Sequence, residues 1–258
     1  MVISYFLEIA GMFLLPLLSV LIAIYIGQLY GEYLIKKSPE LPKPAVGSIV
    51  SAVLGLLTFM LAFTFQIASN HYDTRKTLIL EEVSDIRTTY LRTELLKEPF
   101  RSGTKKLLTE YVDLWVDLSK DPSKIDLAIA RSQQILDMLW NQVKATPEID
   151  RCSVEFGLYS TSLTNLVDGF NKRITLFVAT RIPLAVLLVL YAGSFLSMMA
   201  LGYQFGISGK GGFRVSLVLA FIFAMVIFLI LALDHPETRL VKINHIPLIT
   251  LQNQLHGR

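Results

Sequence analysis

Apolar positions follow two patterns along this chain. In four windows they run on almost without interruption: residues 5–33, 46–69, 176–201 and 213–233 each supply about 20 or more mostly apolar residues, the length a helix needs to cross a bilayer core. Between the second and third windows they recur instead at steps of three and four. Ile79, Val83, Ile86 and Tyr90 form one such series, Leu108, Tyr111, Trp115 and Leu118 a second, and Tyr159, Leu163, Leu166 and Phe170 a third. That spacing predicts helices with one apolar face, not strands. Asp121-Pro122 and Thr146-Pro147 pair a capping residue with a proline suited to the first helical position, marking two helix starts. Four amphipathic helices are expected, the first continuous with the second window because no proline interrupts residues 47–98.

The connections group the windows into pairs. Ser38-Pro39-Glu40-Leu41-Pro42-Lys43-Pro44 is a stiff, non-helical link, so the first two windows make a hairpin; the glycine-rich stretch 202–212 does the same for the last two. The expected organisation is a first transmembrane hairpin over 1–69, a helical insert over 70–175, a second hairpin over 176–233 and a tail over 234–258. The first window carries Glu8 near its start, Pro16 as a possible kink, and Tyr5, Tyr25, Tyr30 and Tyr33, which suit membrane interfaces. It is too long for a signal peptide and has neither a basic leader nor a small-residue cleavage site, so it reads as a retained helix.

Charge sharpens the division. Of the 45 charged residues among 258, residues 70–181 hold 32, split evenly into 16 basic and 16 acidic. The formal net charge of +3 therefore belongs wholly to the apolar parts. Hydrophobic residues make up 53% and mean hydropathy is +0.52, which argues against a water-soluble enzyme, and so small a charge excess argues against nucleic-acid binding. The lone Cys152 excludes an intrachain disulfide and any multi-cysteine metal site and reads as a small buried residue.

An even number of spans places both termini and the insert on one side. Near the spans that side has Arg75, Lys76, Arg87, Lys172, Arg173, Arg181, Arg239 and Lys242, against Lys36, Lys37, Lys43, Lys210 and Arg214 on the other. This balance favours a cytoplasmic insert, whereas Lys36-Lys37 after the first span pull the opposite way.

The second window holds the most informative pattern. Ser48, Ser51, Gly55, Thr58, Ala62, Gln66, Ser69 and Asp73 recur at helical steps, while Ile49, Val53, Leu56, Phe59, Phe63 and Ile67 turn elsewhere. Such a stripe has two physical uses. Gly47, Ser51 and Gly55 form a small-xxx-small series that lets helices approach closely. Alternatively, several copies arrange the stripe around an axis and line a water-accessible path, with Ser51, Gly55, Thr58, Ala62, Gln66 and Ser69 facing it and Ala62 at a tight point. The window has no mid-membrane charge, which argues against a proton relay. Asn70, His71, Asp73 and Arg75 follow at once, where they either shape the inner mouth and attract anions or form an ordinary charged collar. Arg181 is either an interfacial anchor or a further anion contact.

Enzymatic constellations are weak. Glu81, Glu82 and Asp85 lie on nearby turns without a histidine at metal-ligand spacing, Gly206 to Gly212 lacks the strand and ending of a phosphate loop, and Ser160-Thr161-Ser162 has no positioned base. No catalytic residue, metal or cofactor is assigned.

The run Phe59-Met60-Leu61-Ala62-Phe63-Thr64-Phe65-Gln66-Ile67-Ala68-Ser69-Asn70-His71-Tyr72-Asp73-Thr74-Arg75-Lys76, anchored on Tyr72-Asp73, resembles bestrophins. Arg75-Lys76 with Glu81-Glu82, then Thr89-Tyr90-Leu91-Arg92 and Leu95-Leu96, and the endings Asp234-His235-Pro236 and Ile246-Pro247-Leu248, are similar to a bestrophin-like family of bacterial membrane proteins. The resemblance implies an all-α membrane protein, a homo-oligomer that is a pentamer in bestrophins, lipid and inorganic ions as partners, and passive anion conduction in a bacterial inner membrane. Two departures stand out. Thr58, Ala62 and Gln66 fall where bestrophins narrow the pore with large apolar residues, and Thr74-Arg75 replace the tryptophan pair that usually follows Tyr-Asp. No acidic calcium clasp maps onto this chain. The function expected is thus an ion channel; the alternative is a membrane-anchored scaffold or sensor whose insert binds a partner.

Overall fold

A computed structural model describes residues 2–37, 46–146, 153–179, 182–208, 213–234 and 245–257. Among these, regular structure is helical throughout. The helices are α1 (Val2–Lys37), α2 (Val46–Arg92), α3 (Phe100–Lys120), α4 (Ile125–Ala145), α5 (Val154–Ala179), α6 (Leu184–Ser208), α7 (Phe213–Asp234) and α8 (Ile246–Leu255). The proline-rich link 38–44, Pro147, Cys152, Arg181 and His235 lie outside the described residues.

Four helices are long and apolar enough to cross a membrane, and they fall in the four expected windows. At about 1.5 Å per residue, the 47 residues of α2 extend some 70 Å, more than twice the roughly 30 Å of a bilayer core. The second span and the first insert helix are thus one rod, continuous as the unbroken pattern requires.

Two boundaries differ from the sequence expectation. The third window is not one helix from residue 176: α5 runs on to Ala179 and α6 begins at Leu184, directly after Pro183, which fixes its own φ and disfavours helix at the preceding residue. At the other end, Gly202 and Gly206 belong to α6 and not to a turn. They are needed for helix contact. A Cβ on Gly202 would stand 2.1 Å from the Ile24 carbonyl oxygen, and one on Gly206 would stand 2.4 Å from that of Gln28. From the other side, a Cβ on Gly27 would meet the Met199 oxygen at 2.0 Å and one on Gly31 the Tyr203 oxygen at 2.6 Å. Two glycine pairs spaced by four thus bring the backbones of α1 and α6 together, in a medium where apolar burial cannot drive association and close packing must.

The chain forms two compact units, Met1–Tyr72 with Arg181–Val241, and Asp73–Thr180 with Lys242–Arg258. The first is built on Val20, Ala23, Ile24, Val50, Leu57, Leu61, Ala68, Leu190, Met198 and Ile227. Its outer surface carries exposed Leu15, Ile22, Leu188, Val218 and Met225, an apolar coat suited to lipid. The second is built on Leu108, Tyr111, Val112, Ile135, Leu139, Leu163, Leu166 and Phe170 from α3, α4 and α5, with Ile86 from α2.

The tail, expected as a segment apart, is not separate. Its α8 inserts Leu248 and Leu251 into the core of the second unit, and Gln252 Nε2 donates to Asp113 Oδ1 at 2.7 Å. Burial of each leucine contributes about 1.5–3 kcal/mol, enough to hold a ten-residue helix that would not persist alone.

Candidate functional site

At 3.6 residues per turn, Ser51, Gly55, Thr58, Ala62, Gln66 and Ser69 share one arc of α2, within about 40° of a common direction. All but the half-buried Ser69 are exposed within the chain. The opposite arc carries Val50, Leu57, Leu61, Thr64 and Ala68, every one buried. Thr64 buries its hydroxyl by donating to the Met60 carbonyl at 2.8 Å. Among the described residues nothing lies over the arc at Gly55: a Cβ added there would meet no atom within 4 Å. Phe59 and Phe63, four residues apart, form an apolar shoulder along one side of it and are 68% and 60% exposed.

The polar groups on this arc keep hydrogen-bonding capacity. Thr58 Oγ1 donates to the Leu54 carbonyl at 2.9 Å, leaving its lone pairs outward, and Gln66 Nε2 donates to Asn70 Oδ1 at 2.7 Å, linking two amides along the helix.

The four residues expected at the inner mouth divide. Asn70 and Asp73 are exposed on or beside the stripe. Arg75 is not: two turns beyond Ala68 on the buried arc, it is 5% exposed. His71 also turns from the stripe, toward the end of α7, where its Nδ1 lies 3.6 Å from Asp234 Oδ1. Helical register gives the reason, since a step of two from Ser69 or Asp73 carries these side chains round to the packed side. Asp234 itself, 1% exposed, accepts the backbone N–H of Ile182 at 3.1 and 3.2 Å through its two oxygens. The carboxylate that ends α7 thereby ties down the chain just before α6.

The three carboxylates of the second unit do not converge. Glu81 is exposed and Asp85 half-buried, whereas Glu82 is 3% exposed and held by Tyr111 and Arg173. Tyr111 Oη donates to Glu82 Oε1, and Arg173 Nε lies 2.8 Å from Glu82 Oε2. The Arg173 guanidinium stacks over the Trp115 ring, 3.4 Å from its centroid. Burial pushes the Glu82 carboxyl above its ordinary range, against the opposing pull of Arg173 and Tyr111. Burial and the neighbouring carboxylate likewise raise the Tyr111 phenol well above its own. Asp85 is raised chiefly by burial and then by Glu81.

Sequence reasoning missed this cluster because Tyr111 and Trp115 satisfy an apolar helix pattern and Arg173 sits in a basic pair. A signal existed, since Arg173 follows Phe170 by three and so falls on the buried face of α5, whereas Lys172 does not. The Gly27/Gly31 and Gly202/Gly206 spacings stand in the sequence too, without saying which helix each meets.

Four apolar spans, a helical insert between the second and third, and a long second helix with one bare polar arc define an integral membrane protein of a distinct topology. The chain belongs to the Bestrophin-like family, whose domain model matches residues 13–248. Its fold is shared by crystal structures of a bacterial bestrophin homologue from Klebsiella pneumoniae. A point variant of that protein superposes with a TM-score of 0.67 at 18% identity, covering 97% of each chain. A structure of the homologue phased on zinc gives 0.65 at 18% identity, covering 96% of this chain and 95% of that one. No curated protein matches the chain in sequence.

Proposed function

We propose that this protein is a passive ion channel, formed by a symmetric homo-oligomer in which the polar arc of α2 from each copy faces a central path. The observation that carries this reading is the arc itself: Ser51, Gly55, Thr58, Ala62 and Gln66 are exposed along one side of a spanning helix whose other side is packed. Hydroxyls and amides facing lipid would lose their hydrogen bonds to water, at a cost of about 1–3 kcal/mol each, whereas facing an aqueous axis they keep them. A ring of small side chains at Ala62 makes the narrowest apolar step between polar rings at Thr58 and Gln66. Asn70 and Asp73 stand toward the inner mouth; Arg181 is a candidate anion contact there.

Anion conduction and a pentamer are the first expectations by family. The eight-to-five basic balance favours an insert and termini on the cytoplasmic side of a bacterial inner membrane. Lipid and inorganic ions are the expected partners. Purified protein in planar bilayers should give unitary currents that Ala62→Trp blocks while the oligomer stays intact. Silent wild-type bilayers, or currents indifferent to Ala62→Trp, would refute the reading.

A scaffold or sensor is the second reading. Val154 and Leu127, 76% and 68% exposed on α5 and α4, give the insert apolar points for a partner protein. It predicts a dry axis and a stoichiometric partner on affinity purification.

A further inference from the structure

The geometry points to a proton-binding site inside the second unit: Glu82, held by Tyr111 and Arg173, takes up a proton on acidification and thereby releases Arg173 from the Trp115 face. The site joins three helices. Glu82 comes from α2, Tyr111 and Trp115 from α3, and Arg173 from α5, so the charge on one carboxylate bears on how α2 is held by its neighbours in this unit.

Three features make it a titrating site and not an inert ion pair. First, the carboxylate is 3% exposed, and a buried charge persists only while its partners hold it. Second, those partners fit imperfectly. Arg173 Nε is near enough to Glu82 Oε2 for an ion pair, yet among the described residues neither atom completes a hydrogen bond, and Arg173 Nη2 is buried with no hydrogen-bond partner. Third, Arg173 keeps 13% of its side chain accessible against 3% for Glu82, so the pair lies near the edge of the buried core. The proton comes from solvent and adds to a Glu82 oxygen. The carboxylate becomes a carboxyl, the Coulombic hold on Arg173 ends, and no other bond changes.

The surrounding charges set the direction. On α2 itself, Asp85 raises the affinity of Glu82 for a proton. From α3, Tyr111 opposes uptake by donating to the carboxylate, and from α5, Arg173 opposes it by charge. Lys172 and Glu81 act on Asp85. His245, at the start of α8, is held below its ordinary range by burial and by the Arg173 guanidinium.

Trp115 reports the event. The chain has two tryptophans, so Trp140→Phe leaves Trp115 as the sole indole fluorophore. Its emission is followed in detergent or nanodiscs from pH about 8 to about 4, with circular dichroism in parallel. The expected result is one reversible transition, with a midpoint above that of an exposed glutamate, at constant helicity. Glu82→Gln should abolish it. Tyr111→Phe removes a donor to the charged form and should move the midpoint upward. If Glu82→Gln fails to fold, the upward shift in Tyr111→Phe carries the test. A flat titration overturns the proposal, as does a transition that neither variant alters. The readout is optical and stands whether or not the protein conducts.

Discussion

Gly202 and Gly55 lie in the same unit and respond oppositely to an added side chain. The space a Cβ would need at Gly202 is taken by the Ile24 carbonyl, 2.1 Å away; at Gly55 it is empty. Gly202→Leu should therefore part α1 from α6 and cost several kcal/mol, read as a large fall in detergent melting temperature or loss of folded yield. Gly55→Leu should leave the fold of the chain intact and, in the proposed channel, abolish current. Asp234 is a second such residue. Asp234→Ala strips the acceptor from the Ile182 N–H and should destabilise by about 1–3 kcal/mol, while Asp234→Asn keeps an acceptor and should cost less. Sequence reading found the Gly55 stripe because helical periodicity marks a face. It took Gly202 and Gly206 for a turn because glycine has two uses, loop freedom and close helix approach, and only the neighbouring helix tells them apart.

At the scale of elements, α2 and α8 show how much pattern alone decides. For α2, an unbroken run without proline was enough to foresee a rod passing from span to insert. For α8, the ten residues carry too little periodicity to show what they pack against, and the core of the second unit claims Leu248 and Leu251. Leu251→Ala should cost about 2–5 kcal/mol and raise the hydrogen exchange of residues 246–255. Acid should loosen the same helix from its first turn. The His245 imidazole is held below its ordinary value, so its contribution is present at pH above the unfolded-state value of about 6.5 and is lost as pH falls through the lowered folded value. Exchange of 246–255 should therefore quicken in acid in the native chain and show a smaller acid effect in His245→Phe. The opposite sign holds for Glu82. Its raised folded value means its contribution to stability is complete below the unfolded value near 4.5 and declines as pH rises through the folded one. Proton uptake there is a local rearrangement and not an acid unfolding step.

For the whole molecule, the described residues of one chain leave a polar arc bare on a spanning helix, a condition that a membrane tolerates only if something covers or wets it. Assembly of copies about an axis satisfies this without any new residue, and the counter-prediction is a dry interface with the arc buried between helices. Native mass spectrometry and a cryo-EM pore profile decide between them: a water-wide axial path bounded by Thr58, Ala62 and Gln66 supports conduction, and a closed axis supports the scaffold.

Sequence by itself determined the four spans, the helical insert, the family and the polar stripe, because each rests on composition or on a period that a helix imposes locally. Tertiary structure alone decided that Gly27 and Gly31 meet α6, that His71 reaches Asp234, that the tail completes a core, and that Glu82 is buried against Arg173. Those are contacts between residues far apart in the chain, and no local period encodes which face a distant segment will cover.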